Sequence, residues 1–294
     1  MARNTGQGGR PWTTSPLALS RRTSNLLLSF GVPLLVLHLC DSIAQQTPVE
    51  ESFRDLDVLD AFSGQGEVTK AFRRHKAKAD FFDVETQGSS GDILDPLGFR
   101  AIMTKVLKLK EKALLMAGPP CGSWVWVNRS TSGRSKQKLF GNSFRQYVRD
   151  ANSITCRLFV LALVAICRGC EVLVEQPGSS LMVHCPYVQF LALVIQPLRW
   201  AYARFPLGAW GHANQKPTVC FGTVSYLTDF KRRLTKRDHR RIQKNKAIKK
   251  HQMVRKSISK SGRVQVTGST GMRKSATYPR PFAEALAKKH LSFM

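Results

Sequence analysis

From about residue 56 onwards the chain alternates short apolar runs with amphipathic stretches. Leu56 to Ala61 has an apolar strand pattern and runs straight into the glycine turn Phe62-Ser63-Gly64-Gln65-Gly66, after which a helix is expected from about Glu67 to His75. Ala79 to Val84 reads as a second strand, and Gly91-Asp92-Ile93-Leu94-Asp95 as the end of a third. A further apolar run, Ala113 to Met116, leads into Ala117-Gly118-Pro119-Pro120-Cys121. Helical periodicity is clearest from about Phe144 to Cys167, where Val148, Ala151, Ile154, Leu158, Leu161 and Ala165 recur at three- and four-residue steps. Gly169 to Pro177 is another strand, with Glu175 towards its carboxyl end, and Ala201 to Phe205 and Thr218 to Gly222 supply the last two. The alternation is that of an α/β domain.

Chemistry enters at the strand ends. Each proline in Pro119-Pro120 fixes φ and removes an N–H, so the thiol of Cys121 is held in one place on a tight loop, where an α/β enzyme presents a nucleophile. The alternative is a small buried apolar side chain, the usual state of a free cysteine. Gly64 and Gly66 let the backbone approach a bound cofactor, but Thr69 stands where a dinucleotide fingerprint wants its third glycine and no P-loop lysine follows, which points away from NAD and ATP. Asp83 lies at the separation from the glycine turn at which such folds place a ribose-binding carboxylate, and Asp92 adds a second acid. Either acid taken alone reads equally as a helix cap or surface charge. Glu175 reaches the sheet edge where ligands bind in open α/β folds, or is a solvated strand-end charge.

Charge changes the picture at the far end of the chain. The protein has 294 residues and a net charge of +27, and Lys231 to Arg263 contains fifteen Lys or Arg against one acid, Asp238. Lys231, Arg232, Arg233, Lys236, Arg237, Arg240 and Arg241 form the densest part, a solvated tail or a nucleic-acid patch by pattern. Such a balance favours a polyanionic partner and predicts a segment that adds little to the folded core. Seven scattered cysteines make no disulfide framework, and Cys167-Arg168-Gly169-Cys170, near His184 and Cys185, lacks a second CxxC, so no metal is expected. At the other end, Arg3, Arg10, Arg21 and Arg22 precede an apolar run, Leu26 to Cys40, and Ser42-Ile43-Ala44 resembles a cleavage site. That run is too short for a confident membrane span, so no stable span is expected. Residues 1–44 read as organelle or secretory targeting, in conflict with the nuclear location that the basic segment suggests.

Together these residues resemble the cytosine-5 methyltransferases, a branch of the S-adenosylmethionine-dependent Rossmann-like enzymes, and within them a divergent dinoflagellate-type group. Asp60-Ala61-Phe62-Ser63-Gly64-Gln65-Gly66 is similar to the family's first motif, and Gly91-Asp92-Ile93 to the motif whose aspartate meets adenine. Pro120-Cys121 resembles the catalytic Pro-Cys, Glu175-Gln176-Pro177 the family's Glu-Asn-Val, and Thr277 to Phe282 is a fainter echo. The resemblance covers about Asp55 to Gly222. It implies a mostly parallel sheet with helices on both faces and a hairpin-like end, followed here by a basic C-terminal extension. It implies S-adenosylmethionine held by Phe62, Gly64, Gly66, Asp83, Asp92, Pro119 and Pro120, with Cys121 adding to cytosine C6 and Glu175 serving N3 as the acid. A flipped or single-stranded base follows from that chemistry.

The sequence also departs from the family. Gly122 follows the cysteine in place of glutamine, Gln176 replaces asparagine, and Lys216 and Thr218 stand where paired arginines are expected. No target-recognition domain of ordinary size follows Gly222. Trp124 and Trp126 either stack on the base or anchor their loop in the core, and Arg129 and Arg134 on the same loop are candidate nucleic-acid contacts that would compensate for the arginines.

The domain reading is therefore an N-terminal extension at 1–48, a methyltransferase-like domain at 49–230, a nucleic-acid-binding segment at 231–268 and a C-terminal helix at 269–294 that packs back on the domain. Two functions remain open: a methyltransferase acting on nucleic acid, DNA in preference to RNA, or an inactive relative that binds nucleic acid through its basic segment. The chain is expected to be a monomer.

Overall fold

The computed structural model describes residues 53–195, 199–246 and 276–294, and the backbone of two strands at 254–258 and 264–268. The N-terminal targeting expectation, on residues 1–44, lies outside the described residues. Val49–Met294 makes one compact unit.

Six strands form one sheet, in the order β2-β1-β3-β4-β6-β5: β1 (Leu56–Ala61), β2 (Ala79–Phe82), β3 (Leu109–Ala117), β4 (Glu171–Pro177), β5 (Ala201–Pro206) and β6 (Pro217–Gly222). All run parallel except β6, which lies antiparallel between β4 and β5. The inner strands carry near-continuous apolar runs because both faces are covered, whereas the edge strand β5 alternates, with Tyr202 and Arg204 exposed. On one face, Val58, Leu114, Met116 and Leu173 pack with α1 (Glu67–Arg74) and with Phe282, Ala283 and Leu286 of α6 (Arg280–Leu291). The other face is covered by α2 (Pro96–Leu107) and α3 (Gln146–Cys167), which contact each other and β3. Among the described residues α3 alone is long and apolar enough to cross a membrane, but 56% of its most apolar stretch is buried inside the protein, as a core helix requires. Ile154, expected on its buried stripe, is only half-buried, and Thr155 takes an inward place with its hydroxyl donating to the Ala151 carbonyl. The helix α4 (Pro186–Val194) follows β4 and packs on α3.

Two expectations are corrected. No strand ends at Gly91–Asp95; Gly88–Gly91 is a 3₁₀ turn, and Asp95 accepts from Leu97 N and Gly98 N as the N-cap of α2, with Pro96 as its first residue. An acid followed by proline starts a helix better than it ends a strand. The second concerns Lys231 to Arg263, whose first part is folded against the domain rather than being a bare tail. There α5 (Lys236–Lys246) begins at a capping box, Thr235 N donating to Asp238 at 3.0 Å and Asp238 N to the Thr235 hydroxyl at 3.2 Å. Ile242 is buried, Arg241 donates to the Gly208 carbonyl, Asn245 donates to the Ala213 carbonyl, and Arg232 stacks 3.5 Å over Trp210. Lys231, Arg233, Lys236, Arg237 and Arg240 remain exposed. Beyond α5, β7 (Val254–Ile258) and β8 (Val264–Gly268) pair as an antiparallel hairpin.

Candidate active site

Strand order reverses between β1 and β3, since the chain moves from β1 outward to β2 and then returns to β3 on the other side. Ligands of open α/β sheets bind beyond the carboxyl ends of the strands at that point. Here it is flanked by the glycine turn after β1 and the Pro-Pro-Cys loop after β3, held level by Ala61 opposite Ala117 and by Gly118 N donating to the Ala61 carbonyl at 3.1 Å. Next along, β4 sets Val174 opposite Ala117, which brings Glu175 to the same edge.

Around the glycine turn, Gly64 and Gly66 have φ of +54° and +66°, a region L side chains rarely adopt, and a Cβ on either would point into open space. Phe62, half-buried, also sits at φ +59°, a strained conformation for a residue with a Cβ and one that clusters at functional sites. Asp83 is buried and braces the turn: one carboxylate oxygen accepts from Gly64 N at 2.8 Å and the other from Glu85 N at 2.8 Å. Asp92 closes an Asx turn to Leu94 N at 2.8 Å, and Gly91 beside it is pressed so close that a Cβ would fall 2.2 Å from the Asp83 carbonyl oxygen. Phe62, Gly64, Gly66, Asp83 and Asp92 thus share one neighbourhood, where Asp83 supports the turn as well as facing it.

The Cys121 loop is braced from β4. Pro119 is buried and its carbonyl accepts from Gln176 Nε2 at 2.7 Å, while the Ser180 hydroxyl donates to Gln176 Oε1 at 2.9 Å; Pro120 is exposed. Cys121 is half-buried, and its carbonyl accepts from Trp124 N and Val125 N. Burial, then the Glu175 charge, push its thiol above the ordinary range, and the Lys216 ammonium pulls the other way. The two charges act on the thiol with opposite sign, and both are near enough to do so, which groups Cys121, Glu175 and Lys216 in one site.

Two participants, Tyr278 and Asp60, were not legible as such, whereas Lys216 already stood in an arginine position in the sequence. Tyr278, inside the faint C-terminal echo, donates its buried hydroxyl to Glu175 Oε2 at 3.2 Å, and Gly118 leaves the room for it, since a Cβ there would meet that hydroxyl at 2.5 Å. Glu175 Oε1 is buried with no hydrogen-bond partner among the described residues. Lys216, at φ +39°, lies 5.5 Å from the Tyr278 ring centre. Asp60 is buried at the end of β1, where Oδ2 accepts from Thr69 N and the Thr69 hydroxyl, Oδ1 has no partner among the described residues, and burial pushes the carboxyl up to about 7. Thr218, in the second arginine position, is buried and donates to the Lys216 carbonyl at 3.0 Å.

Trp124 and Arg134 are corrected as nucleic-acid contacts, because both are buried. The Arg134 guanidinium stacks 3.5 Å over Trp124 and donates to Ser123 Oγ at 2.9 Å, to Asn152 Oδ1 at 2.9 Å, and to the Leu139 carbonyl. It therefore ties the loop together and does not replace an absent arginine. Arg129 does remain exposed, stacked 3.5 Å over Trp126. Of the α5 set, Arg237, Arg240, Arg241 and Lys244 line a surface cavity together with Asp238. No protein-family model matches this chain, and no curated protein is significantly similar to it in sequence.

Proposed function

We propose that the protein is an S-adenosylmethionine-dependent methyltransferase of the cytosine-5 type, built on a Rossmann-like sheet, acting on nucleic acid through Cys121. The observation that carries this reading is the meeting of Cys121 and Glu175 beside the glycine turn at the reversal of strand order. The turn suits the cofactor because it borders open space on backbone that only glycine adopts freely, with the carboxylate of Asp83 and the Asp92 turn behind it. When bound, the cofactor supplies an electrophilic methyl group.

The residues divide the work as follows. Cys121 Sγ, as thiolate, bonds to cytosine C6, and the electrons of the C5–C6 double bond move to make C5 nucleophilic. Glu175, as acid, hydrogen-bonds or protonates N3 as the ring takes on negative charge, with Tyr278 fixing the orientation of its carboxyl. Once C5 is methylated, the C5 proton passes to solvent acting as base and Sγ leaves as thiolate, which restores the aromatic ring. Lys216 favours the thiolate, against burial and Glu175. The resting thiol is held protonated, so its proton must pass to solvent, which half-buried Cys121 reaches, as Sγ attacks C6.

That resting thiol, with Thr218 in the arginine position, favours a second reading: a nucleic-acid-binding protein of the same fold without transfer activity. Incubating the full chain with methyl-labelled cofactor and mixed DNA and RNA separates the two. Label incorporated as 5-methylcytosine, and lost in Cys121→Ser, supports the enzyme; binding of S-adenosylhomocysteine and nucleic acid with no incorporation supports the second reading.

A further inference from the structure

The stretch after the candidate nucleophile has an unusual surface. Trp126, Phe140, Phe144 and Tyr147 are 54%, 40%, 91% and 41% exposed, four large aromatic side chains within twenty-two residues. Between Trp126 and Arg149 there is no acid, and Arg129, Lys136, Lys138, Arg145 and Arg149 are all exposed. The stretch is held in shape: Arg134 reaches both arms, Phe144 N donates to Asn142 Oδ1 at 3.1 Å, Arg149 donates to the Ser143 carbonyl at 3.2 Å, and Asn152 to that of Phe140 at 3.0 Å. Exposed aromatic faces on an ordered loop cost solvation with no folding return.

We propose that this loop is a stacking platform for single-stranded nucleic acid. Interleaved aromatic rings and cations with no acid are what a single strand needs: each base has a face to stack, and each phosphate a charge to meet. A duplex keeps its base faces inside and cannot use the rings. Trp126, with the Arg129 guanidinium on one face, presents one platform, and Phe144, nearly free of protein contact, presents another. Because Trp126 lies on the loop that Cys121 begins, the platform delivers an already unpaired base towards it. The proposal deepens the function given above, on which it depends only for the meaning of that adjacency.

Its test needs no turnover. A labelled single-stranded oligonucleotide of mixed sequence and the same sequence as a duplex are titrated with the full chain, without cofactor, and with Trp126→Ala and Phe144→Ala. Each variant is expected to weaken single-strand binding on the order of tenfold, from loss of one stacked base, and to leave the duplex within about twofold and the salt dependence unaltered. Both side chains being exposed, thermal unfolding should not move, which separates binding from folding. Equal losses for the two nucleic-acid forms, or no loss, would overturn the platform, as would self-association of the chain that Phe144→Ala abolishes. If methyl transfer fails while these losses appear, the enzyme reading falls and the platform stands; if transfer is intact and the losses are absent, the reverse holds.

Discussion

At the residue scale, the site depends on carboxyl groups withdrawn from water. Asp60 is raised from an ordinary 3.8 to about 7 by burial, and its two bonds from Thr69 offset only part of that cost. A carboxyl whose folded value is raised contributes stability in full below its unfolded value and loses it as pH climbs to the folded one. Thermal stability should therefore fall between about pH 4 and pH 7 on account of Asp60. Asp60→Asn, which keeps an acceptor for Thr69, should flatten that fall in a series of unfolding curves; an unaltered pH profile would mean that Asp60 does not carry the proton. Tyr278→Phe makes a narrower prediction. It removes one hydrogen bond to Glu175 and no volume, so kcat/KM for methyl transfer should drop about tenfold, and denaturant unfolding should lose about 1–3 kcal/mol because the buried carboxyl keeps one bond fewer. A fall in stability with activity intact would assign Tyr278 to the core alone.

At the scale of elements, the loop from Cys121 to the start of α3 hangs on one cation. Arg134 stays charged, though burial draws it down to about 10, and it satisfies Ser123, Leu139 and Asn152 from the face of Trp124. Arg134→Ala should cost about 2–4 kcal/mol in denaturant unfolding, since it strands buried acceptors and leaves a void beside Trp124. Arg134→Lys should not rescue it, because an ammonium lacks the planar fork and the stacking face. Wild-type stability in either variant would contradict this role. The sequence made the elements legible where periodicity was strong: the helices from Glu67 and up to Cys167 and the strands ending at Ala61 and Pro177 lie where the apolar pattern puts them, while the strand read at Ala113–Met116 runs from Leu109 to Ala117, through Lys110, Glu111 and Lys112. It misled at Asp92–Asp95, where the aspartates serve a turn and a cap, and at Arg134, while at Trp124 the core-anchoring alternative holds over base stacking. An aromatic beside an arginine has the same pattern whether the pair faces solvent or the core. The Tyr278–Glu175 bond joins residues 103 apart in the chain and has no local signature. Two small signals were present, the glycine at 118 and the echo at 277–282.

At the scale of the whole molecule, one sheet edge gathers everything the account needs. Strand order reverses between the glycine turn, which Asp83 braces, and the loop of Cys121, Glu175 reaches the same edge, and Tyr278, just before α6, bonds to Glu175 beside Gly118. The Trp126–Arg149 stretch that follows Cys121 carries exposed cations, and α5 carries more. The central claim is that Cys121 forms a bond to cytosine C6, and the most direct measurement is covalent trapping. Full-length protein is mixed with S-adenosylmethionine and an oligonucleotide containing 5-fluorocytosine, whose C5 fluorine cannot leave as a proton does, and the products are resolved under denaturing conditions. The account predicts an adduct that survives denaturation, requires the cofactor, maps to the peptide containing Cys121 and is absent in Cys121→Ser. No adduct from a folded protein that binds both cofactor and oligonucleotide, or an adduct that persists in Cys121→Ser, would contradict it.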